Sequence, residues 1–421
     1  MKHMEEKSKS KKVKIIVAIT IIVIILILAG ILGVKIYKDK KNFQNTNTET
    51  NTIAEENNIN QNEVVEPKEE KKEPEIFNGN DRPIAVMIDN HKGAWPQAGL
   101  NKTYLVYEII VEGGETRLMA LFKGQDVDVV GPVRSSRHYF LDYAMENDAI
   151  YAHYGWSPKA KSDISSLNIN NINGLYYSKP TFWRVSTKKA PHNAMTSTST
   201  ILAAAKKSGY RTTSEQSSVL TYSQKEIELE DGEEATEITI PHSYLHSVTY
   251  KYDEDTKRYT RYARGTLQKD YTTKEEVTTK NIIIMFANNS QLNDGTTKDR
   301  QDLSNIGTFD GYYITNGKAI EIKCKKENRR SKTIYTNAET GETLEVNDGN
   351  TWINICPKSA KVKKENFYLK KFSLLFEVLN LNIFSINSLN MFLCFIFKAV
   401  SVPPFSKILH LCSNLFIIIF K

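Results

Sequence analysis

The sequence has few cysteines, and none of them shows the spacing of a metal or redox site. Its four cysteines are Cys324, Cys356, Cys394 and Cys412. Without a CxxC pair, a zinc ribbon, a thioredoxin-type centre and a dense disulfide framework are excluded. Cys324 and Cys356 could meet if their strands pair, but two small buried side chains are the simpler interpretation.

Motifs that identify common enzyme chemistries are also absent. There is no HExxH, no GxSxG, no P-loop and no catalytic-cysteine arrangement in the chain. Isolated histidines more often belong to a hydrogen-bonded scaffold than to a metal site. We therefore expect no cofactor and no metal, while the sequence leaves open whether the protein is an enzyme.

The folded part of the chain lacks an excess of positive charge. The formal net charge is +7, but residues 1–14 carry +4 and residues 358–421 carry +7, which leaves about −4 for the residues between them. A nucleic-acid binder needs a basic stripe that neutralises phosphates. A mildly acidic body therefore argues against nucleic acid as a partner.

One long hydrophobic run is present near the start of the chain. Ile15–Val34 reads IIVAITIIVIILILAGILGV, twenty residues without a charge, which is enough to cross a membrane as a helix. No A-x-A-like cleavage site or lipidation cysteine follows it. This pattern predicts a membrane anchor over residues 15–36 that is not removed. The lysines before it modestly favour residues 1–14 as a basic tail in the cytoplasm.

Composition separates two further segments from the globular part. Residues 39–80 are rich in Asn, Glu, Lys and Thr, which predicts a disordered linker because too little apolar surface is present to offset ordering entropy. Residues 358–421 form an atypical hydrophobic tail; the part from Glu365 onward has no Gly, Asp, Arg or Thr. We interpret this tail as foreign to the evolved fold, and a second membrane attachment is the alternative.

The remaining chain predicts an α+β protein with two domains. Residues 81–215 mix apolar runs such as Pro83–Asp89 with helical patterns at Ser136–Glu146 and Thr200–Lys207, and they form a mixed α/β N-terminal domain. The Gly-Gly pair at 113–114 lies between two apolar runs, which indicates a hairpin. Residues 222–357 alternate polar and apolar side chains, which indicates a smaller, β-rich C-terminal domain. Val127–Val130 and Ala149–Tyr154 resemble further strands.

An anion site is the first candidate for function. The segment Gly131–Arg137 (GPVRSSR) follows an apparent strand and precedes a predicted helix, whose N-terminal N–H groups and positive dipole favour anions. Arg134 and Arg137 would add two guanidinium groups that suit phosphate or carboxylate. In the alternative interpretation, Ser135 or Ser136 only caps the helix and the arginines pair with surface carboxylates.

An acid–base site is the second candidate. His91, His153 and His192 lie in irregular segments, and together with Asp89 they could form an acid–base site or a metal site if the fold brings them together. No spacing motif supports the metal site. Glu112, between Glu108 and Glu115 in the chain, is a weak candidate for a catalytic carboxylate. It could equally be the partner of Arg117 in a structural ion pair.

The order of several motifs resembles the YerB-like family of bacterial envelope proteins. The resemblance spans about Asp81 to Pro357 and rests on PIAVMIDNH, WPQAGL, VYE, VEGGETRLMALF, GPVRSSRHYF, HYGWSP, FWR and APHN. GYYITNGKAIEIKCKKENRRSKTIY and TWINICP resemble the second domain of the family, although Cys324 replaces an expected tryptophan. The resemblance implies a location outside the cytoplasm in bacteria with a thick wall, and it implies no particular activity.

The resemblance also marks a set of characteristic positions, most of them polar or glycine and in loops, where binding residues tend to lie. They are Asp89, Asn90, Pro96, Gln97, Glu112, Gly113, Gly114, Arg117, Arg134, Ser135, Arg137, His153, Arg184, His192 and Asn193.

These observations favour a single-pass cell-membrane protein with its body outside the cytoplasm. It would be anchored by Ile15–Val34 and would bind an anionic envelope ligand or an envelope protein. The expected ligand-binding residues are Arg117, Arg134, Ser135, Arg137, His153, Arg184, His192 and Asn193. A wall-directed hydrolase or transferase, with Glu112, His153 or His192 as catalytic candidates, is one alternative. A non-catalytic scaffold is the other.

Overall fold

Residues 80–365 are described by the computed structural model, and strands greatly outnumber helices among them. Three α-helices occur in this part of the chain: α1 (His138–Glu146), α2 (Pro158–Ser166) and α3 (Thr198–Lys207). Short 3-10 turns cover Lys92–Ala94, Leu100–Lys102 and Glu112–Gly114. All described residues belong to one compact unit.

The strands are numbered along the chain. They are β1 (Ile84–Asp89), β2 (Leu105–Ile110), β3 (Thr116–Phe122), β4 (Ile150–His153), β5 (Asn171–Asn173), β6 (Trp183–Arg184), β7 (Ala194–Met195), β8 (Thr221–Tyr222), β9 (Glu233–Glu234), β10 (Glu237–Pro241), β11 (Ser247–Asp253), β12 (Arg258–Ala263), β13 (Thr266–Leu267), β14 (Thr278–Thr279), β15 (Asn281–Gln291), β16 (Gln301–Ser304), β17 (Gly307–Thr315), β18 (Lys318–Lys326), β19 (Ile334–Asn337), β20 (Glu345–Val346), β21 (Thr351–Pro357) and β22 (Lys363–Glu365).

A mixed sheet of twelve strands forms the centre of the unit. Its order is β19-β18-β17-β15-β21-β2-β3-β1-β4-β5, with β16 paired to β15 and β9 paired to β18. The parallel pair of β2 and β21 joins strands from residues 81–215 to strands from residues 222–357. The two predicted domains therefore contribute to one continuous sheet.

Both faces of this sheet are covered, which explains why β2 is buried along its whole length. On one face, Val106 and Ile284 share a core with Ile240 and Val248 of a second, six-stranded sheet, β13-β12-β11-β10-β22 with β14 beside β12. On the other face, Tyr107 packs in a core with the α1 helix. The central strands thus lie between a sheet and a layer of helices.

Much of the expected local structure is confirmed. β2 and β3 form the hairpin around the Gly-Gly pair, and Gly209 follows α3 with a φ of +71°, a conformation that favours glycine. Cys324 and Cys356 are buried and unpaired. The prediction of a strand at Val127–Val130 is wrong, because Val130 makes only an isolated bridge with Thr196.

The folded chain continues past Pro357. β22 pairs with β10, with Glu365 opposite Glu237, and Val362 packs against the core. The predicted membrane anchor and nearly all of the linker precede residue 80, and most of the predicted tail follows residue 365, so these segments lie outside the described residues. Between residues 80 and 365, no helix has the length and apolar character that crossing a membrane requires.

Candidate functional site

Polar residues collect at one edge of the large sheet. β1 runs parallel to β4 and antiparallel to β3, which is antiparallel to β2, so the carboxyl ends of β1, β2 and β4 share an edge. Asp89 ends β1, Glu112 follows β2 and His153 ends β4. Arg117, near the start of the antiparallel β3, lies opposite Asp89 in register. Ligands of α/β sheets commonly bind at such an edge.

The Gly131–Arg137 segment lies against β1 and brings its arginines to this edge. The Asp89 N–H donates to the Pro132 carbonyl at 2.8 Å, and the Arg134 N–H donates to the Met87 carbonyl at 2.9 Å. Gly131 permits this close approach, since a Cβ there would lie 2.9 Å from the Ala194 carbonyl oxygen, and its φ is +141°. The sequence fixes Arg134 beside Asp89 through these backbone contacts.

Asp89 holds a histidine and an arginine together. Its Oδ2 lies 2.6 Å from His192 Nδ1 and 3.1 Å from Arg134 Nε, while its Oδ1 accepts the N–H of His91 at 3.1 Å. The ring of His192 stacks on that of His91 with centroids 4.4 Å apart. With Nδ1 directed at Asp89, the other ring nitrogen of His192 is left for a different partner. The structure thus brings Asp89, His91 and His192 together, whereas His153, the third histidine of that candidate site, contacts Gly155 and Asn171 instead.

Glu112 is held by Arg137 rather than by Arg117. Arg137 donates from Nε to Oε1 at 2.6 Å and from Nη2 to Oε2 at 2.8 Å, a bidentate pair. Burial acts to raise the pKa of Glu112, but the hydrogen bonds and charge of Arg137 outweigh it and the pKa is lowered. A carboxylate that stays ionised and fully engaged is a poor general base.

Neither serine caps helix α1. Arg137 occupies the N-cap position and makes no side-chain cap bond. Ser135 Oγ donates to the Tyr154 carbonyl at 3.0 Å, and Ser136 Oγ accepts from the Tyr151 hydroxyl at 2.8 Å. The capping part of the alternative interpretation is therefore wrong. Both arginines do pair with carboxylates, but Asp89 is buried rather than on the surface.

Arg117 is near both pairs, and it forms no ion pair with a carboxylate of the described residues. It is 5% exposed, its Nη1 donates to the Ser135 carbonyl at 2.5 Å, and its Nε has no hydrogen-bond partner among residues 80–365. Burial, and next the charge of Arg137, lower its pKa to about 10. Asp89, Glu112 and Arg134 also act on this pKa. We call Arg117, Arg134 and Arg137, with Asp89 and Glu112, the arginine cluster.

Three other expected site residues, His153, Arg184 and Asn193, do not belong to the arginine cluster. His153 is fully buried, with Nδ1 2.7 Å from the Gly155 carbonyl and Nε2 3.2 Å from Asn171 Oδ1. Burial lowers its pKa to about 4, so the ring is neutral near pH 7. Arg184 Nη1 donates to Asn193 Oδ1 at 2.6 Å, and its guanidinium lies 5.1 Å from the Tyr154 ring centroid. These contacts describe scaffold positions rather than a shared pocket.

A buried network around Glu108 was not anticipated. Glu108 is fully buried and accepts four hydrogen bonds of 2.8–3.0 Å, from Asn90, Thr116, His246 and Arg261. Burial acts to raise its pKa, but Arg261 and His246 reverse this and hold the pKa well below its usual range. The signal in the sequence was a lone carboxylate inside the apolar run YLVYEIIV.

The partners of Glu108 come from both parts of the chain. His242 and His246 belong to the connection between β10 and β11, where both are buried. Asn90 directly follows Asp89, so the Glu108 network supports the end of β1, where Asp89 of the arginine cluster lies. No three His, Cys, Asp or Glu side chains in the described ranges are grouped as metal ligands.

Comparison with known proteins identifies the family. Residues 69–211 match the model described as "Protein of unknown function (DUF3048) N-terminal domain", and residues 238–353 match the corresponding C-terminal domain. The chain belongs to the DUF3048 family. In this DUF3048 protein, Glu108 lies in the N-terminal match, and His246 and Arg261 lie in the C-terminal match.

This DUF3048 protein is similar to a protein and to a crystal structure from Bacillus subtilis. A protein of strain 168 named "Putative lipoprotein YerB" is 34% identical over 279 residues, which is 66% of this chain and 81% of the relative. The crystal structure of YerB protein from Bacillus subtilis matches with a TM-score of 0.61 and 33% identity, covering 68% of this chain and 94% of that chain. The YerB-like resemblance of the motifs is thus confirmed.

Proposed function

We propose that the protein is an extracytoplasmic, membrane-anchored envelope protein whose arginine cluster binds an anionic group of an envelope ligand or partner. The observation that carries this proposal is Arg117, a buried guanidinium without a carboxylate partner among the described residues. A buried charge is costly unless it is paired. A phosphate or carboxylate from a ligand would supply the missing charge.

The charge of the arginine cluster supports the same function. Three guanidinium groups face two carboxylates, so a net positive charge remains at the sheet edge. Arg134 is the most accessible of the three, with 26% of its side chain exposed. Guanidinium groups bind phosphate and carboxylate through paired, charge-assisted hydrogen bonds. An anion that displaces the Arg134–Asp89 contact could therefore be held by Arg134 and Arg117 together.

The anchoring part of the proposal rests on Ile15–Val34, an uncharged stretch of membrane-spanning length. The name of the Bacillus subtilis relative, which describes a lipoprotein, supports attachment to a membrane. In this chain a retained helix would replace the lipid, because no cysteine stands directly after the apolar run.

The test is a titration of the full chain with inorganic phosphate by isothermal calorimetry. Arg134→Gln should weaken phosphate binding about tenfold or more, because a hydrogen bond to a charged group contributes about 1.5–3 kcal/mol. Asp89 keeps His192 and the His91 N–H as partners, so the melting temperature should fall by only a few degrees. Arg330→Gln is the matched control, since Arg330 is exposed and contacts Leu167 instead. Equal phosphate affinity in Arg134→Gln and the wild type would refute the anion site.

The Asp89–His192 contact favours one alternative, a wall-directed hydrolase or transferase in which His192 carries the proton. A carboxylate on Nδ1 orients an imidazole and stabilises its charged form, so that Nε2 can accept a proton. In such an enzyme, His192→Gln should lower the release of reducing ends from purified cell wall by about 10²–10⁴-fold. Glu112→Gln should change that rate only a few-fold. The opposite order of effects would restore Glu112 as the catalytic group, and a wild type without activity would eliminate this alternative.

A further inference from the structure

A cleft lies next to the Glu112–Gly114 turn. Its volume is about 560 Å³, and its wall includes Pro241, His242, Tyr244, Asp299, Gln301 and Lys361. Gly114 also contributes to the wall, and Ser243 Oγ donates to the Gly114 carbonyl at the base of the turn. A cavity of this size accommodates a ligand of several rings.

His242 has a ring nitrogen, Nδ1, that no hydrogen-bond donor of the described residues contacts. It is 1% exposed, its Nε2 lies 3.3 Å from Asn354 Oδ1, and its Nδ1 has no hydrogen-bond partner among the described residues. A ring that donates from Nε2 keeps a lone pair on Nδ1. Burial lowers the pKa of His242 to about 4, so the ring is neutral near pH 7. A ligand hydroxyl or N–H is the group that would satisfy it.

Tyr244 gives the cleft an aromatic wall. It is 87% exposed, the highest value among the exposed large hydrophobic residues of the described chain. Its ring lies close to the turn, since a Cβ on Gly114 would lie 3.1 Å from Tyr244 Cε1. An exposed tyrosine offers a rigid, amphipathic contact surface at low cost in conformational entropy.

The charged groups of the cleft differ from those of the arginine cluster. Asp299 and Lys361 are the two charged side chains of its wall, and their charges have opposite signs. Together they leave no net charge that would attract an anion. The side-chain amide of Gln301 adds hydrogen-bonding capacity. The occupant that fits is uncharged, carries hydroxyl or amide donors, and has an apolar face for the tyrosine ring. A pyranose sugar combines these properties.

We propose that this cleft is a saccharide-binding site for a neutral sugar unit of a glycan chain, with Tyr244 as the stacking platform and His242 as a hydrogen-bond acceptor. The lining of the cleft includes none of the five side chains of the arginine cluster, and saccharide binding in the cleft does not depend on anion binding by that cluster.

The test is a titration of the full chain with tetramers of N-acetylglucosamine and of glucose, both β-1,4-linked, in a detergent without a sugar headgroup. The wild type should bind at least one tetramer saturably. Tyr244→Ala should weaken that binding about tenfold or more, because the tyrosine supplies most of the apolar contact. Tyr176→Ala is the matched control: Tyr176 is 71% exposed but does not line the cleft, and its variant should bind as the wild type does.

Two results would overturn the site: no saturable binding of either tetramer, or equal weakening by Tyr244→Ala and Tyr176→Ala. Phosphate affinity reports on the proposed anion function separately. It should be unchanged in Tyr244→Ala, and tetramer affinity should be unchanged in Arg134→Gln.

Discussion

Glu108→Gln is expected to lower the free energy of unfolding by about 3–5 kcal/mol, the usual effect of breaking a buried ion pair by removing one partner. The substitution keeps the shape of the side chain but leaves Arg261, which is 1% exposed, as an uncompensated buried charge. His246 also loses its charged acceptor at 2.9 Å. Denaturant unfolding of wild type and variant measures the difference directly.

The matched control is Glu321→Gln, the same substitution at an exposed position of β18. Exposed substitutions away from special contacts usually change stability by no more than about 0.5 kcal/mol. If the two variants lose equal stability, the Glu108 network does not stabilise the fold as argued. Because Asn90 binds Glu108 and precedes His91, Glu108→Gln should also loosen the loop beside the arginine cluster.

Stability is expected to fall steeply between pH 6.5 and pH 4. Burial lowers the pKa of both His153 and His242 from 6.5 to about 4. Below pH 6.5 the unfolded chain takes up protons at these rings, whereas the folded protein stays neutral there until about pH 4. Unfolding therefore binds protons, and each ring contributes a slope of up to about 1.4 kcal/mol per pH unit.

His153→Asn should make the free energy of unfolding less dependent on pH, because the variant lacks one of the two titrating rings and its slope of up to about 1.4 kcal/mol per pH unit. The Asn amide can still donate to the Gly155 carbonyl, which His153 Nδ1 contacts at 2.7 Å. The variant should be less stable than the wild type at pH 7.5, and the difference should shrink toward pH 4.5. Unfolding free energies at pH 7.5, 5.5 and 4.5 provide the measurement. An unchanged slope would mean that burial does not depress the pKa of His153.

The local structure was predictable wherever short-range chemistry determines it. The Gly113-Gly114 turn selects the β2–β3 hairpin, and Gly209 ends α3, because both positions require backbone angles that favour glycine. Val127–Val130 has the apolar composition of a strand but makes only an isolated bridge at Val130. Whether such a segment becomes a strand depends on its pairing with distant segments, which its own composition does not indicate.

The sequence indicated which residues belong to the candidate site, but it did not indicate which side chains pair with one another. Asp89, His192 and Arg134 meet because Val133 bridges Ile88 and Ala194 lies beside Val133, contacts between segments far apart in sequence. The choice of Arg137 rather than Arg117 for Glu112 depends on where α1 begins, which sequence patterns locate only to within a few residues. The role of Glu108 could not be predicted, because its partners His246 and Arg261 lie in the other matched region.

The parallel junction between β2 and β21 has a consequence for biosynthesis. Val106 pairs with Trp352, so one side of β2 has no strand beside it until almost the whole body has been translated. At about 5–20 residues per second, the ribosome needs roughly 12–50 s to add the intervening chain. During that time β2 is an unprotected hydrophobic edge that can recruit other nascent chains. Folding of this body is therefore expected to be largely post-translational, and a holding chaperone that covers β2 should raise its yield.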